Sequence, residues 1–305
     1  MSEKKKESRI LTERICPRST GFDTWSSSDI LTHVWQDQIN GVAAVRTAIK
    51  ALEQAALGAV ERLQEPDSRL IYVGAGSSGV LAGLDGIELP CTFGWPKSRL
   101  AIYRADDADN VLTITTPGDD DKQSALRDFK KSMVTDKDVL VAVSASGETP
   151  YTCQFAKLAA QQGTQVIGIA HNPRCLLLHL ATDPILLDTG PEVLAGSTRL
   201  KAGTAQKTAL GMFSTLVMTR LGHVHDGLLI DVEPDNAKLR KRAARSVASI
   251  ANVPEKTAQT ALKQTDFHVK PAVLVAKGMT PKQAQEKLYQ SGGNLREALI
   301  HIAEV

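Results

Sequence analysis

Aromatic side chains are scarce, with six Phe, four Tyr and three Trp in 305 residues. The core must therefore be largely aliphatic, and a 42% hydrophobic content is enough for a sizeable one. Cysteine is sparse too. Cys16, Cys91, Cys153 and Cys175 lie far apart without C-x-x-C or other metal-ligand spacing, which argues against a disulfide framework and fits free thiols in a reducing, cytoplasmic setting. No stretch approaches the roughly 20 apolar residues of a membrane span, and Met1 to Ser8 is basic and polar with no apolar run behind it. Neither secretion nor membrane insertion is expected. Charge of one sign is lacking as well: 36 Lys plus Arg against 34 Asp plus Glu leaves +2, too little to gather nucleic acid or an anionic membrane. Any bound anion must be held locally.

What is present is alternation. From about Ser28 to Leu63 apolar residues recur at helical spacing (Ile30, Leu31, Val34, then Val42, Val45, Ile49, Leu52), which predicts one or two amphipathic helices. Leu70 to Val73 reads as a buried strand ending in Gly74-Ala75-Gly76-Ser77-Ser78-Gly79, with a helical pattern behind it. The grammar repeats: Val139 to Val143 leads into Ser144-Ala145-Ser146-Gly147-Glu148-Thr149 and a helix through Phe155 and Leu158. Further strands are expected at Leu100 to Tyr103, Val166 to Ile169 and near Ile185 to Leu187. Strands alternating with helices predict an α/β fold, a doubly wound parallel sheet covered on both faces. After Gly203 the pattern is helical, and Pro234-Asp235-Asn236 reads as a turn and N-cap. The chain thus divides into a tail and arm over 1–27, a main domain over 28–234 and a small helical subdomain over 235–305.

A strand that ends in a Gly/Ser-rich turn before a helix exposes N–H groups and hydroxyls where the helix dipole also favours an anion. Here this occurs twice, with Ser77 and Ser78 in the first loop and Ser144, Ser146 and Thr149 in the second. The first loop also fits G-x-G-x-x-G, a dinucleotide motif. Against that reading, Asp106 falls later than the acidic residue expected about 20 positions on, and a nicotinamide site gives no reason for the second loop. Tight turns without a ligand are the other alternative. His223-Val224-His225 would place two imidazoles on one strand face, but no third metal ligand is evident. The basic run Lys238, Arg240, Lys241, Arg242 and Arg245 lacks interleaved aromatics and reads as a solvated helix face, not a nucleic-acid surface.

The eighteen positions from Gly190 to Lys207, GPEVLAGSTRLKAGTAQK, resemble the signature shared by the muramic acid 6-phosphate etherases and the glucokinase regulatory proteins. The similarity continues through Gly74 to Gly79, Leu84-Asp85, Glu88, Pro90, Thr92-Phe93-Gly94, Ser146-Gly147, Thr149-Pro150-Tyr151, Asp231-Val232 and Asn236 to Leu239, weakest before about Gly41. It implies the sugar-isomerase (SIS) fold, a sugar phosphate as small-molecule ligand, a homodimer with the site near the subunit interface, and no metal or organic cofactor. This chain departs from the etherase pattern where Val80 and Glu148 stand in place of Arg, where Asp119 or Asp120 replaces a second catalytic Glu, and near Trp35 to Gln38, where an acidic stretch is lost.

The activity so implied removes a lactyl ether from C3 of an open-chain sugar phosphate. The C2 proton, acidic beside the C1 aldehyde, goes to one carboxylate while a carboxylic acid protonates the leaving ether oxygen, provided burial keeps one of them protonated. By resemblance Glu88 is the first catalytic candidate and Asp119 the second. Alone, Glu88 would read as a surface helix carboxylate and Asp119-Asp120-Asp121 as an acidic turn. Within the signature, Glu192 is a candidate for holding the open sugar or assisting proton transfer, and Ser197, Arg199 and Lys201 for ordering the loop or contacting substrate. A phosphosugar-sensing regulator without turnover, and a phosphosugar isomerase, are the alternatives; retention of Glu88 and the single SIS unit favour the lyase.

Overall fold

The computed structural model describes residues 10–105, 118–232, 234 and 236–300. Asp106, weighed above for a dinucleotide site, lies outside them. The chain groups into two compact units, Met1–Gly86 with Ser98–Ser214, and Ile87–Lys97 with Thr215–Val305, where the turn at Pro234 had suggested one cut.

The first unit opens with α1 (Ser27–Val45), capped by the Ser26 hydroxyl, which accepts the Asp29 N–H at 3.2 Å. A 3-10 turn leads into α2 (Ile49–Leu63), whose buried face, Leu52, Ala55, Ala56, Ala59 and Leu63, follows the 3.6-residue period. Then come β1 (Leu70–Gly74), α3 (Gly76–Phe93), β2 (Leu100–Arg104), α4 (Lys122–Ser132), β3 (Val139–Val143), α5 (Pro150–Gln161), β4 (Gln165–Ala170), α6 (Leu176–Leu180), β5 (Asp183–Leu186) and α7 (Lys201–Arg220). The unit boundary falls within α3 and within α7. All pairings in the sheet are parallel, in the order β2-β1-β3-β4-β5. Every residue of β1, β3 and β4 is buried, which is why those strands read as unbroken apolar runs and not as alternation. Three of the few aromatics meet on one side, with Phe155 5.3 Å from Tyr103 and 5.4 Å from Phe129 between ring centres.

Asp85 of α3 is one of several charged side chains in this interior. It is buried, accepting the Tyr72 hydroxyl of β1 at 2.9 Å and the Ser214 hydroxyl of α7 at 3.1 Å. Burial is the main force holding the Tyr72 phenol well above its ordinary value, with the Asp85 charge adding to it. A buried carboxylate is tolerable here because its oxygens have donors.

The second unit contains the hairpin β6 (Val224–His225) and β7 (Leu228–Leu229), turned by Asp226 and Gly227, both with positive φ as a type I′ turn requires. Five helices follow: α8 (Ala237–Ala251), α9 (Glu255–Gln264), α10 (Val269–Ala276), α11 (Pro281–Gln290) and α12 (Leu295–Ile300). The Asn236 side chain caps α8 by accepting the Leu239 N–H at 3.0 Å, and Thr280 with Gln283 forms a capping box on α11. Val247, Leu262, Val273, Leu274 and Leu295 form the core. His223 and His225 engage different carboxylates, Asp231 at 2.8 Å and Asp226 at 3.5 Å, and Lys270 also reaches Asp231 at 2.7 Å. Lys238, Lys241, Arg242 and Arg245 are exposed, as a solvated face predicts.

Asp85→Ala should leave two buried hydroxyls without their acceptor. Chemical denaturation is expected to show a loss of about 3 kcal/mol, whereas a loss under 1 kcal/mol would mean that water replaces the carboxylate.

Candidate active site

The first loop is a backbone-to-backbone turn. A Cβ on Gly74 would stand 2.8 Å from the Gly79 Cα, and one on Gly79 would meet the Gly74 carbonyl carbon at 2.8 Å, so strand and helix approach as only glycines allow. Ser77 and Ser78 follow at the start of α3. Ser77 is half-buried, and Ser78 is buried with its hydroxyl accepting Gln206 Nε2 from α7 at 3.1 Å.

The second loop gathers three hydroxyls at the N-terminus of α5. Ser144 Oγ lies 2.8 Å from Thr149 Oγ1 and 3.3 Å from Ser146 Oγ, and it accepts the Gly147 N–H at 3.0 Å; Ser146 Oγ accepts the Glu148 N–H at 3.1 Å. The end of β4 braces the loop, because the Asn172 side-chain amide donates to the carbonyls of Ala145 at 3.2 Å and Ser146 at 2.9 Å. Gly147 has φ +72°, and a Cβ there would lie 2.1 Å from Cys175 Sγ. Glu148 is exposed and caps α6, accepting the Leu176 N–H at 3.0 Å.

Since β1 pairs with β3 in register, Gly74 opposite Val143, the two loops leave the same edge of the sheet side by side. The carboxylates are distributed by geometry. Asp119 is half-buried: its Oδ2 lies 3.6 Å from where a Cβ on Gly76 would stand, and its carbonyl accepts the Tyr151 N–H of α5 at 3.0 Å, so it touches both loop regions. Asp121 caps α4 instead, and the N–H groups of Ser124 and Gln123 hold its carboxyl below the ordinary range, the Ser124 contribution being the larger. Asp120 is exposed. Glu88 is exposed on α3, twelve residues beyond Gly76, in the part of that helix belonging to the second unit.

The 190–207 signature forms the approach to α7. Glu192 has no exposed surface, and its carboxylate accepts the N–H groups of Lys201 at 3.0 Å and Ala202 at 2.8 Å. Burial raises its pKa, and those N–H groups with the Lys201 charge oppose the rise. Lys201 is equally enclosed, donating to Asp37 of α1 at 2.8 Å and to the Pro191 carbonyl at 2.6 Å. Ser197 is half-buried and Arg199 exposed in the preceding turn.

A cavity of about 780 Å³ opens beside Ser146. Asn172, Arg174 and Cys175 line it together with Glu148, and the arm contributes Ile10, Leu11 and Arg14. Sequence reading missed Asn172 and the arm. The signal for Asn172 was its place just past the carboxyl end of a parallel strand, where ligands of such sheets bind.

The SIS domain family matches residues 120–216. An N-acetylmuramic acid 6-phosphate etherase of Deinococcus radiodurans is 39% identical over 289 residues, 94% of this chain and 94% of that one. One of Yersinia pestis is 38% identical over 95% of this chain and 98% of its own length. The chain belongs to the N-acetylmuramic acid 6-phosphate etherase family. A solved structure from Bacteroides fragilis, described as a candidate phosphosugar isomerase involved in capsule formation, shares the fold with TM-score 0.51 and 17% identity, covering 66% of this chain and 95% of that one.

In this member of the etherase family, His171 follows β4 directly. It is fully buried, with Nδ1 3.1 Å from Thr189 Oγ1 and, among the described residues, no hydrogen-bond partner at Nε2. Burial, with the Lys201 charge adding to it, pushes the imidazole down to about 4 from 6.5. Above pH 6.5 the ring is neutral folded or unfolded. As pH falls from 6.5 to about 4 only the unfolded chain takes up the proton, so stability declines through that window. At 1.36 kcal/mol per pH unit the full loss is about 3 kcal/mol. Urea unfolding at pH 7, 5.5 and 4.5 should show this decline and a shallower one in His171→Gln; equal slopes would exclude His171 as its source.

Proposed function

We propose that the chain is an N-acetylmuramic acid 6-phosphate etherase, a cofactor-independent carbon–oxygen lyase that converts its substrate to N-acetylglucosamine 6-phosphate and D-lactate. The observation that carries this is the near full-length match to etherases at 38–39% identity. Two hydroxyl-rich loops at helix N-termini, side by side on one sheet edge, support a sugar phosphate as ligand. The hydroxyls and N–H groups of Ser77, Ser78, Ser144, Ser146 and Thr149 hold the phosphate, which anchors the open-chain sugar for chemistry at C2 and C3.

The elimination needs two proton transfers. A carboxylate takes the C2 proton, the C3–O bond breaks as a carboxylic acid protonates the leaving oxygen, D-lactate departs, and water adds across the C2–C3 double bond. Glu88 is assigned as the acid from the family motif; it is exposed here, so the burial expected of the acid is not what supports the assignment. Asp119 is assigned as the second carboxylate over Asp120 because it is half-buried against the first loop, whereas Asp120 is exposed. Aspartate is one methylene shorter than the family's glutamate, and about 1 Å of misplacement can cost on the order of a hundredfold in rate. Glu192 and Lys201, wholly enclosed, support positioning of the 190–207 segment; Ser197 and Arg199 remain candidates for substrate contact.

A homodimer is the proposed assembly. α1 presents Leu31, Trp35, Ile39 and Val42 to solvent on one face, 47–70% exposed, an apolar stripe suited to a second copy. The proposed setting is the cytoplasm, in keeping with four cysteines that are free thiols. Among the described residues no helix is long and apolar enough to cross a membrane.

Mass spectrometry of the purified protein with N-acetylmuramic acid 6-phosphate should detect D-lactate; binding without product would favour a sensor. Glu88→Gln, nearly isosteric but unable to deliver a proton, should fold, bind the sugar phosphate and lose turnover at least about a hundredfold. Asp119→Asn should lose less if Asp120 or water substitutes, and Asp119→Glu should raise the rate if reach is limiting. Near-wild-type lactate release from Glu88→Gln would remove this assignment. Sedimentation should give twice the 32.8 kDa chain mass, and a fully active monomer would reject the dimer.

A further inference from the structure

We infer that Arg174, at the turn between β4 and α6, supplies the positive charge that holds the substrate phosphate in this chain, with Arg14 of the arm beside it. The inference rests on the etherase reading above. A phosphate monoester near pH 7 carries about −1.5 to −2 charges, and hydroxyls and amides accommodate that charge without neutralising it. A helix N-terminus offers only about half a positive charge. Neither loop carries a cation of its own: 74–79 reads GAGSSG, followed by Val80, and 144–149 reads SASGET. Glu148 instead puts a negative charge at the rim of the loop that has to receive the anion. A cation must then come from elsewhere.

The cavity beside Ser146 provides it. Arg174 and Arg14 line the same 780 Å³ space as Ser146, one from the strand end and one from the arm. Both walls are tied to neighbouring segments by hydrogen bonds. Asn172, two residues before Arg174, is hydrogen-bonded to the loop carbonyls of Ala145 and Ser146. The arm is tied to that same asparagine, the Leu11 N–H donating to Asn172 Oδ1 at 2.6 Å, while the Thr12 carbonyl accepts the Gly196 N–H at 2.9 Å. The Arg174 side chain is exposed and has no ion-pair partner among the described residues, so binding an anion breaks no existing ion pair. Glu148 is already engaged, one oxygen capping α6. The guanidinium is suited to the task because its planar fork matches two phosphate oxygens.

Calorimetry with N-acetylglucosamine 6-phosphate tests this on the full chain, with unphosphorylated N-acetylglucosamine as the control ligand and thermal unfolding as the check on folding. Arg174→Ala should weaken 6-phosphate binding at least about tenfold and flatten its salt dependence, Arg174→Lys should recover part of the loss, and Arg174→Ala with Arg14→Ala should weaken it further. Ser146→Ala separates the two levels of the argument. If Ser146→Ala weakens binding but Arg174→Ala and the double variant stay within twofold of wild type, the arginine assignment is overturned and the loop assignment stands. If Ser146→Ala and Ser144→Ala also leave affinity unchanged, the phosphate-loop reading fails and this inference falls with it.

Discussion

The enclosed carboxylate of Glu192 determines how the first unit closes. It takes the first two N–H groups of α7, which would otherwise be buried donors without acceptors, and so fixes where that helix begins. Once α7 starts there, Lys201 is directed inward onto Asp37 and the Pro191 carbonyl. A buried ion pair gives little net stability, but it is strongly selective, because either charge alone would be costly. Gly41 of α1 shows how close the resulting contact is: a Cβ there would stand 2.7 Å from the Lys201 carbonyl. From the same helix Gln206 reaches Ser78 in the first loop and Ser214 reaches Asp85. The loop, α3 and α1 are thus all referred to one helix.

The asymmetry between the two loops follows from their braces. The first depends on glycine-to-glycine packing and on α7, the second on β4 and the turn that follows it. A ligand shared by both would have its contacts set by two separate supports. Both supports are made within the chain itself, and contacts arranged before binding cost less conformational freedom on contact.

Much of this was legible in the sequence because the central strands are buried on both faces and therefore appear as short apolar runs ended by Gly/Ser turns. Leu70 to Val73 and Val139 to Val143 fall on β1 and β3, and the 190–207 segment carried the family. What was not legible depended on partners distant in sequence. Glu192 read as a group for the substrate, yet its neighbours are the N–H groups of residues nine and ten positions on. Three successive aspartates looked alike until the fold turned Asp121 to α4, left Asp120 in water and placed Asp119 against Gly76. His171 and Asn172 have no local pattern of their own; their meaning comes from the neighbouring strand whose loop they brace. Glu88 owes its assignment to the family motif alone.

The pairing of β1 with β3 has a consequence for how the site comes into being. Leu70 lies opposite Val139, so the two loops are neighbours in the sheet although the strands that carry them are 69 positions apart in the chain. Neither loop can be matched to the other until this non-local parallel pairing has closed, a slow kind of step because the entropy of closing a long loop precedes any reward. Phosphate recognition is therefore a property of the finished topology and not of either motif alone. A ligand that spans the loops must favour the native over the unfolded chain, drawing folding and occupancy into one equilibrium.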